Sequence, residues 1–273
     1  MKNLEGRVAA VTGAAHGIGR CVALELARAG MDLALADIDE VGLQAVRSEI
    51  ETLGRRCIAV NTDVRDKAQL ERLLERCLGD LGGAHVIVNN AGLFHAGSLL
   101  ECGDAEFERV IDTNLWGVVH GSRIFGRHFV AQRMGHIVNV ASAAGLVGAP
   151  GMTSYSTSKF GVVGFSEVLR WELASQRVGV SMVCPGILKT DIARREHVGL
   201  SHLDFDRFLR FAPQPELLAR RIVTAIRRDR GLVTLGLEAN VARVLRRLPY
   251  AIQDAFGKRV ARQTDKVLRP RAG

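Results

Sequence analysis

The chain holds only two tyrosines, Tyr155 and Tyr250, and six lysines, and Tyr155 stands four residues before Lys159. At that composition a Tyr-x-x-x-Lys pair is expected by chance about 0.04 times, so the spacing is informative. On a helix the two side chains share one face. An ammonium held beside a phenol favours the phenolate, drawing its pKa from about 10 toward working pH. A phenol tuned in this way can exchange a proton with an alcohol or a carbonyl. The competing reading is an exposed surface pair with no chemical role.

A second constellation lies near the N-terminus, where an apolar strand, residues 8–11, runs into Thr12-Gly13-Ala14-Ala15-His16-Gly17-Ile18-Gly19 and then into an apolar-periodic helix. With 29 glycines in 273 residues, a Gly-x-x-x-Gly-x-Gly pattern arises by chance about 0.3 times, so the glycines alone prove little. Their setting between a first strand and a helix says more. Gly13, Gly17 and Gly19, with His16 and Ile18 in the same turn, let the backbone approach a pyrophosphate whose charge the free N–H groups of the helix start stabilise.

Strand two ends in Asp37, 18 residues beyond Gly19, near the roughly 20-residue offset at which a carboxylate meets both hydroxyls of an adenosine ribose. The same carboxylate repels the 2′-phosphate of NADP, and neither Ile38 nor Asp39 offers a compensating cation, so NAD is expected over NADP. His16 or Arg20 could soften that choice, and Asp37 could instead cap the helix that starts near Glu40. Asp63-Val64 and Asn89-Asn90-Ala91-Gly92 follow the third and fourth strands, again at the carboxyl ends where ligands bind in such sheets. With a nicotinamide exchanging hydride, Tyr155 would handle the proton.

These placements demand a strand–helix alternation, and the sequence has one. Apolar, β-branched runs fall at 7–11, 32–36, 57–60, 85–88, 136–140, 179–184 and 232–235. Helical periodicity occupies 21–29, 41–53, 68–78, 107–130, 160–177 and 216–228. Strands that are continuously apolar are covered on both faces, which points to an α/β fold with a doubly wound parallel sheet of about seven strands. One domain is expected over 1–239, with a separate basic extension at 240–273. Five cysteines lie far apart with no Cys-x-x-Cys or paired His, so neither a metal site nor a disulfide framework is favoured. No signal peptide or apolar run of membrane-spanning length is seen, so a cytoplasmic protein is expected.

Taken in order, Thr12 to Gly19, Asp63, Asn89 to Gly92, Asn114, Ser142, Tyr155-Ser156-Thr157-Ser158-Lys159, and Pro185-Gly186 followed by Thr190 resemble the short-chain dehydrogenase/reductase family over roughly residues 5–236. The resemblance implies a Rossmann fold and an NAD-dependent alcohol dehydrogenase or carbonyl reductase. It implies that Ser142 donates to the substrate oxygen, that Tyr155 is the acid/base, and that Asn114 holds a water linking Lys159 to solvent. Lys159 would also bind the nicotinamide ribose, and Thr190 with the Ile187–Leu188 backbone would position the carboxamide. Asn90 is expected to be structural and cofactor-proximal, and a homodimer or homotetramer is expected. A catalytically silent nucleotide sensor or scaffold of the same fold is the alternative.

Substrate choice should lie in residues 191–213, beside 93–97 and 143–153. Phe205, Phe208 and Phe211, with the nearby Phe94, suggest a lid over a lipophilic secondary alcohol or ketone of steroid, terpenoid or acyl-chain type, or else simply pack on the protein. The formal charge is +8, but residues 240–273 carry nine cations and two anions, leaving 28 against 27 elsewhere. In that tail Val241, Val244, Leu245 and Leu248 recur at helical spacing up to Pro249. Peripheral contact with an anionic membrane and packing on the protein or a second subunit are both open. Nucleic acid is not an expected partner, because no recognition pattern accompanies the charge.

Overall fold

A computed structural model describes residues 1–100, 102–189 and 212–268, with side chains to residue 262. Seven strands form one sheet: β1 (Val8–Thr12), β2 (Asp32–Asp37), β3 (Cys57–Asn61), β4 (Val86–Asn89), β5 (Gly135–Val140), β6 (Val178–Pro185) and β7 (Leu232–Leu235). All pairings are parallel, in the order β3-β2-β1-β4-β5-β6-β7. The order reverses between β1 and β4, and the crevice beyond their carboxyl ends is where such sheets bind ligands.

Helices α1 (Gly17–Arg28), α2 (Glu40–Thr52) and α7 (Pro215–Arg228) cover one face of this sheet. The other face carries α3 (Lys67–Leu81) and α5 (Gly117–Ala131). Along β1 the side chains alternate between these cores: Ala9 and Val11 belong to the one that holds Val22 and Ile222, while Val8 and Ala10 belong to the one that holds Leu73 and Phe125. That two-sided burial is why the strands read as unbroken apolar runs.

Three helical expectations are corrected. The single helix expected at 107–130 is α4 (Asp104–Ile111), a π-helical turn at Asp112–Trp116, and α5. Its apolar period continues through the turn, so sequence could not show the extra residue. The helix expected at 160–177 is α6 (Thr153–Glu172), which starts seven residues earlier and so contains the whole Tyr155–Lys159 pair. It stops at Glu172, and a 3-10 turn at Ala174–Gln176 follows, closed by Arg177 at φ 60°. In the tail, α8 (Leu237–Leu245) ends four residues before Pro249, and α9 (Tyr250–Leu268) follows that proline.

Helix α8 runs through the expected 239/240 boundary and buries Ala239 and Ala242, the latter in the core cluster that also holds Val162 and Val163 of α6. Thr190, residues 191–211 of the expected substrate loop, and thus Phe205, Phe208 and Phe211, lie outside the described residues.

Candidate active site

The turn after β1 is shaped by close approach. Gly13, at φ 63°, leaves 2.8 Å between an added Cβ and the Ala91 Cα, and Gly17 is at φ 51°. Gly19 sits in the first turn of α1, where an added Cβ would collide with the Gly13 carbonyl oxygen. Gly13 and Gly17 line the cavity, whereas Gly19 lies behind it and lets the helix pack on the turn. Asn90 ties this turn to β4: its Nδ2 donates to the carbonyls of Thr12 at 3.0 Å and Gly13 at 3.1 Å.

Sequence patterns gave no sign of the part played by the Thr12 side chain. Its buried hydroxyl accepts from the amides of Asn90 and Ala91 at 3.0 and 3.1 Å, and so fixes the β1 turn to the β4 turn across the crevice.

The Asp37 carboxylate accepts from the amides of Ala15 at 3.0 Å and Asp39 at 3.1 Å, which point it into the cavity. The cap on α2 is Asp39, which accepts from the Gly42 amide at 3.0 Å, so capping does not occupy Asp37. His16 meets the other Asp39 oxygen at 2.5 Å, and Arg20 turns away to pair with Glu49. Asp63 and Val64 line the same end of the cavity. Arg65 donates to both carboxylate oxygens of Asp63 and holds that carboxyl below the usual range.

At the far end of the cavity, Ser142 follows β5 and caps a short 3-10 turn, accepting from the Ala144 amide at 3.2 Å. The turn packs directly on α6: a Cβ on Gly145 would lie 2.5 Å from the Lys159 carbonyl oxygen. Ser142 thereby lines the same cavity as the Tyr155 phenol. Lys159 is buried, its Nζ 5.7 Å from the Tyr155 ring centre and donating to the Val140 carbonyl at 3.1 Å.

The expected lowering of the phenol pKa by Lys159 is not what governs this geometry. Burial is the larger influence and raises the Tyr155 pKa, with the Ser142 hydrogen bond working against it. Burial also pushes the Lys159 ammonium down to about 8. Both effects arise from taking a charged form out of water.

Asn114 lies in the π-helical turn, fully buried and behind the cavity wall. Its Oδ1 accepts from the Leu93 amide at 2.7 Å, while Nδ2 donates to the Leu93 carbonyl at 2.9 Å and to Ser158 Oγ at 3.1 Å. With the side chain thus engaged, it braces the chain beyond Gly92 against α6.

One cavity of about 730 Å³ joins these parts, a size suited to a small-molecule ligand. It is lined by Gly13, His16, Gly17, Ile18, Asp37, Asp63, Val64, Asn90, Ala91, Gly92, Ser142, Tyr155, Lys159, Pro185, Gly186 and Ile187. Of the expected site residues, Gly19 and Asn114 stand behind the wall. Leu93, Phe94, Ala144, Met152 and Leu188 add an apolar surface, and the Phe94 ring meets Tyr155 edge-on with centroids 5.2 Å apart. Glu238, from the first turn of α8, also reaches the cavity and packs against Gly186. No short-range pattern pointed to it, because 52 residues separate it from Gly186. Among the described residues no cluster of side chains could hold a metal ion.

Residues 7–199 match the short chain dehydrogenase family. The "Putative oxidoreductase SadH" of Mycobacterium tuberculosis is 36% identical over 255 residues, covering 91% of this chain and 92% of its own. The 3-oxoacyl-[acyl-carrier-protein] reductase FabG of Thermotoga maritima is 32% identical over 225 residues, with 81% of this chain and 90% of its own covered. A short chain dehydrogenase/reductase from Burkholderia phymatum, crystallised in complex with NAD, superposes with a TM-score of 0.83 at 32% identity over 94% of this chain and 97% of that one. A seven-stranded parallel sheet, a glycine turn at its switch point and this similarity along most of the chain establish one conclusion: the protein belongs to the short chain dehydrogenase family and is an oxidoreductase of the Rossmann fold.

Proposed function

We propose that the protein transfers hydride between NAD(H) and a lipophilic secondary alcohol or ketone, with Tyr155 as general acid/base. The observation that carries this reading is the convergence of Ser142, Tyr155 and Lys159 in the same cavity as the glycine turn and Asp37. The residues fit a dinucleotide: a Cβ at Gly13 would fill the cradle, and the start of α1 offers its free amides to a pyrophosphate. Gly13, His16, Gly17, Ile18, Asp37, Asp63, Val64, Asn90, Ala91, Gly92, Tyr155, Lys159, Pro185, Gly186, Ile187 and Thr190 would hold it. When bound, a nicotinamide supplies or accepts the hydride.

The protein's own part is positional and protonic. Ser142 donates to the substrate oxygen while the Tyr155 hydroxyl gives or takes the proton at that oxygen. Lys159 keeps a cation beside the ring and stabilises the phenolate form as it develops. Asn114 braces the Gly92 segment and leaves its backbone to hold the water that links Lys159 to solvent. Asp37 and Asp39 set two carboxylates on the cavity wall after β2, a charge that would repel a 2′-phosphate and supports NAD over NADP.

Leu93, Phe94, Met152, Ile187 and Leu188 favour an apolar substrate beside the phenol. Exposed Phe160, Val168 and Trp171 on α6, with Trp116 in the π-helical turn, support a homodimer or homotetramer. We place the protein in the cytoplasm, with residues 240–273 in peripheral contact with a membrane.

A panel of hydrophobic, anionic and sugar alcohols, each offered with NAD and with NADP and followed by nicotinamide absorbance, tests the reading. Turnover of hydrophobic secondary alcohols with NAD is expected. Failure on every hydrophobic alcohol, or a preference for NADP, would overturn the corresponding part.

A further inference from the structure

Helix α8 is amphipathic in the opposite sense to an ordinary surface helix. Its buried side is made of small residues, Ala239 and Ala242, while Leu237, Val241 and Val244 point outward, with exposed Leu248 just past its end. At about 100° per residue the three on the helix, Leu237, Val241 and Val244, fall within a sector of roughly 60°, opposite the buried alanines. Leu237 is 76% exposed and Val244 56%, values that cost solvation unless the stripe is covered. After Pro249 the apolar surface continues on α9 with Tyr250, Ile252 and Phe256, all exposed.

The charges around this stripe identify what covers it. Residues 237–262 contain six cations against Glu238 and Asp254. Arg246 is paired with Glu167, and Lys258 with Asp254. Arg243, Arg247, Arg259 and Arg262 have no ion pair among the described residues. A second copy placed on this face across a two-fold axis would oppose two surfaces of net +4, which is repulsive. An anionic lipid surface meets both demands, accepting the apolar stripe among acyl chains and the arginines among headgroups.

We propose that α8 and the start of α9 dock on an anionic bilayer through the Leu237, Val241, Val244 and Leu248 stripe, and that this docking turns the active-site cavity toward the lipid. The orientation comes from the neighbour of Leu237: Glu238 lines the cavity beside Gly186. Seating Leu237 in the bilayer puts that wall within one helical turn of the headgroups, so a membrane-dissolved alcohol reaches Tyr155 without crossing bulk water. This delivery role rests on the lipophilic-substrate reading, whereas the docking is measured without substrate or turnover.

The experiment is co-sedimentation of the full-length protein with phosphatidylglycerol or phosphatidylcholine vesicles. Pelleting with phosphatidylglycerol at low salt, loss of it at high salt, and none with phosphatidylcholine are expected. Val241→Asp/Val244→Asp, at exposed positions outside the active site, should abolish pelleting while leaving turnover of a water-soluble alcohol unchanged. Arg243→Gln/Arg247→Gln should weaken partitioning about 30-fold, from about 1 kcal/mol per cation. For orientation, Leu237→Trp should gain fluorescence that acyl-brominated lipids quench. Wild-type protein remaining in the supernatant with phosphatidylglycerol overturns the docking. So does undiminished pelleting of the double aspartate variant, or dissociation of its native oligomer, which would assign the stripe to a second copy. An unquenched Leu237→Trp overturns the orientation. Vesicle binding with no turnover of any lipophilic alcohol would leave docking standing and overturn the substrate reading alone.

Discussion

Tyr155 is pulled two ways, and the pull is open to measurement. Burial raises its pKa and the Ser142 side chain lowers it, so Ser142→Ala leaves only influences that raise it, burial first and then the nearby Cys184. In the alcohol-oxidising direction, where the phenolate takes the proton, the acidic limb of the kcat/KM profile should then move to higher pH. An unmoved limb would separate Ser142 from proton transfer. Asp37 makes a second residue-scale prediction. Its oxygens are aimed by the Ala15 and Asp39 amides, so Asp37→Ala should raise KM for NAD at least 10-fold and narrow the preference over NADP. Steady-state kinetics with both cofactors check this. At this scale sequence was most readable, because Tyr155, Lys159, Asp37 and the glycines are constrained by short-range spacing. Thr12 and Glu238 were not, since each acts on a partner tens of residues distant that only the folded sheet brings near.

Elements were legible where apolar period and length agree. All seven strands and the helices of the first half fall close to their expected places, because a two-sided core leaves unbroken apolar runs and regular helical stripes. The π-helical turn at Asp112–Trp116 was hidden, since one extra residue barely perturbs a moderately amphipathic pattern. The same limit concealed the direction of α8: periodicity shows that Val241, Val244 and Leu248 share a face but not which face meets the protein. Helix α2 offers a direct test of local design. Its start is held by the Asp39 carboxylate on the Gly42 amide, and Asp39→Ala should cost about 1 kcal/mol in urea denaturation. At the centre of the opposite layer, Phe125→Ala should cost about 3–5 kcal/mol, because the ring is fully buried against α3 and the sheet.

The molecule as a whole divides its chemistry by position along the strands. The groups proposed to hold the cofactor and move the proton gather at the carboxyl ends, whereas His136, at the opposite end of β5, is buried with its Nε2 2.8 Å from Ser181 Oγ. Burial pushes its pKa down to about 3, so the folded protein keeps this ring neutral while the unfolded chain protonates it below about 6.5. Stability should therefore fall as pH drops from about 6.5 toward 3, with about 2 kcal/mol lost from this group by pH 5. His136→Asn should remove that part of the slope in denaturation curves at pH 7 and pH 5. Charge is divided too: the body is nearly neutral and the excess lies in residues 240–273, so the chain's basic character belongs to its C-terminal segment and not to the catalytic body. The proposed hydride transfer rests on Tyr155 moving the proton, and Tyr155→Phe tests that most directly. NAD binding, followed by fluorescence or calorimetry, should be retained while NAD-coupled turnover falls by at least 10²-fold. Turnover equal to wild type in that variant would contradict the role assigned to Tyr155 and the mechanism built on it.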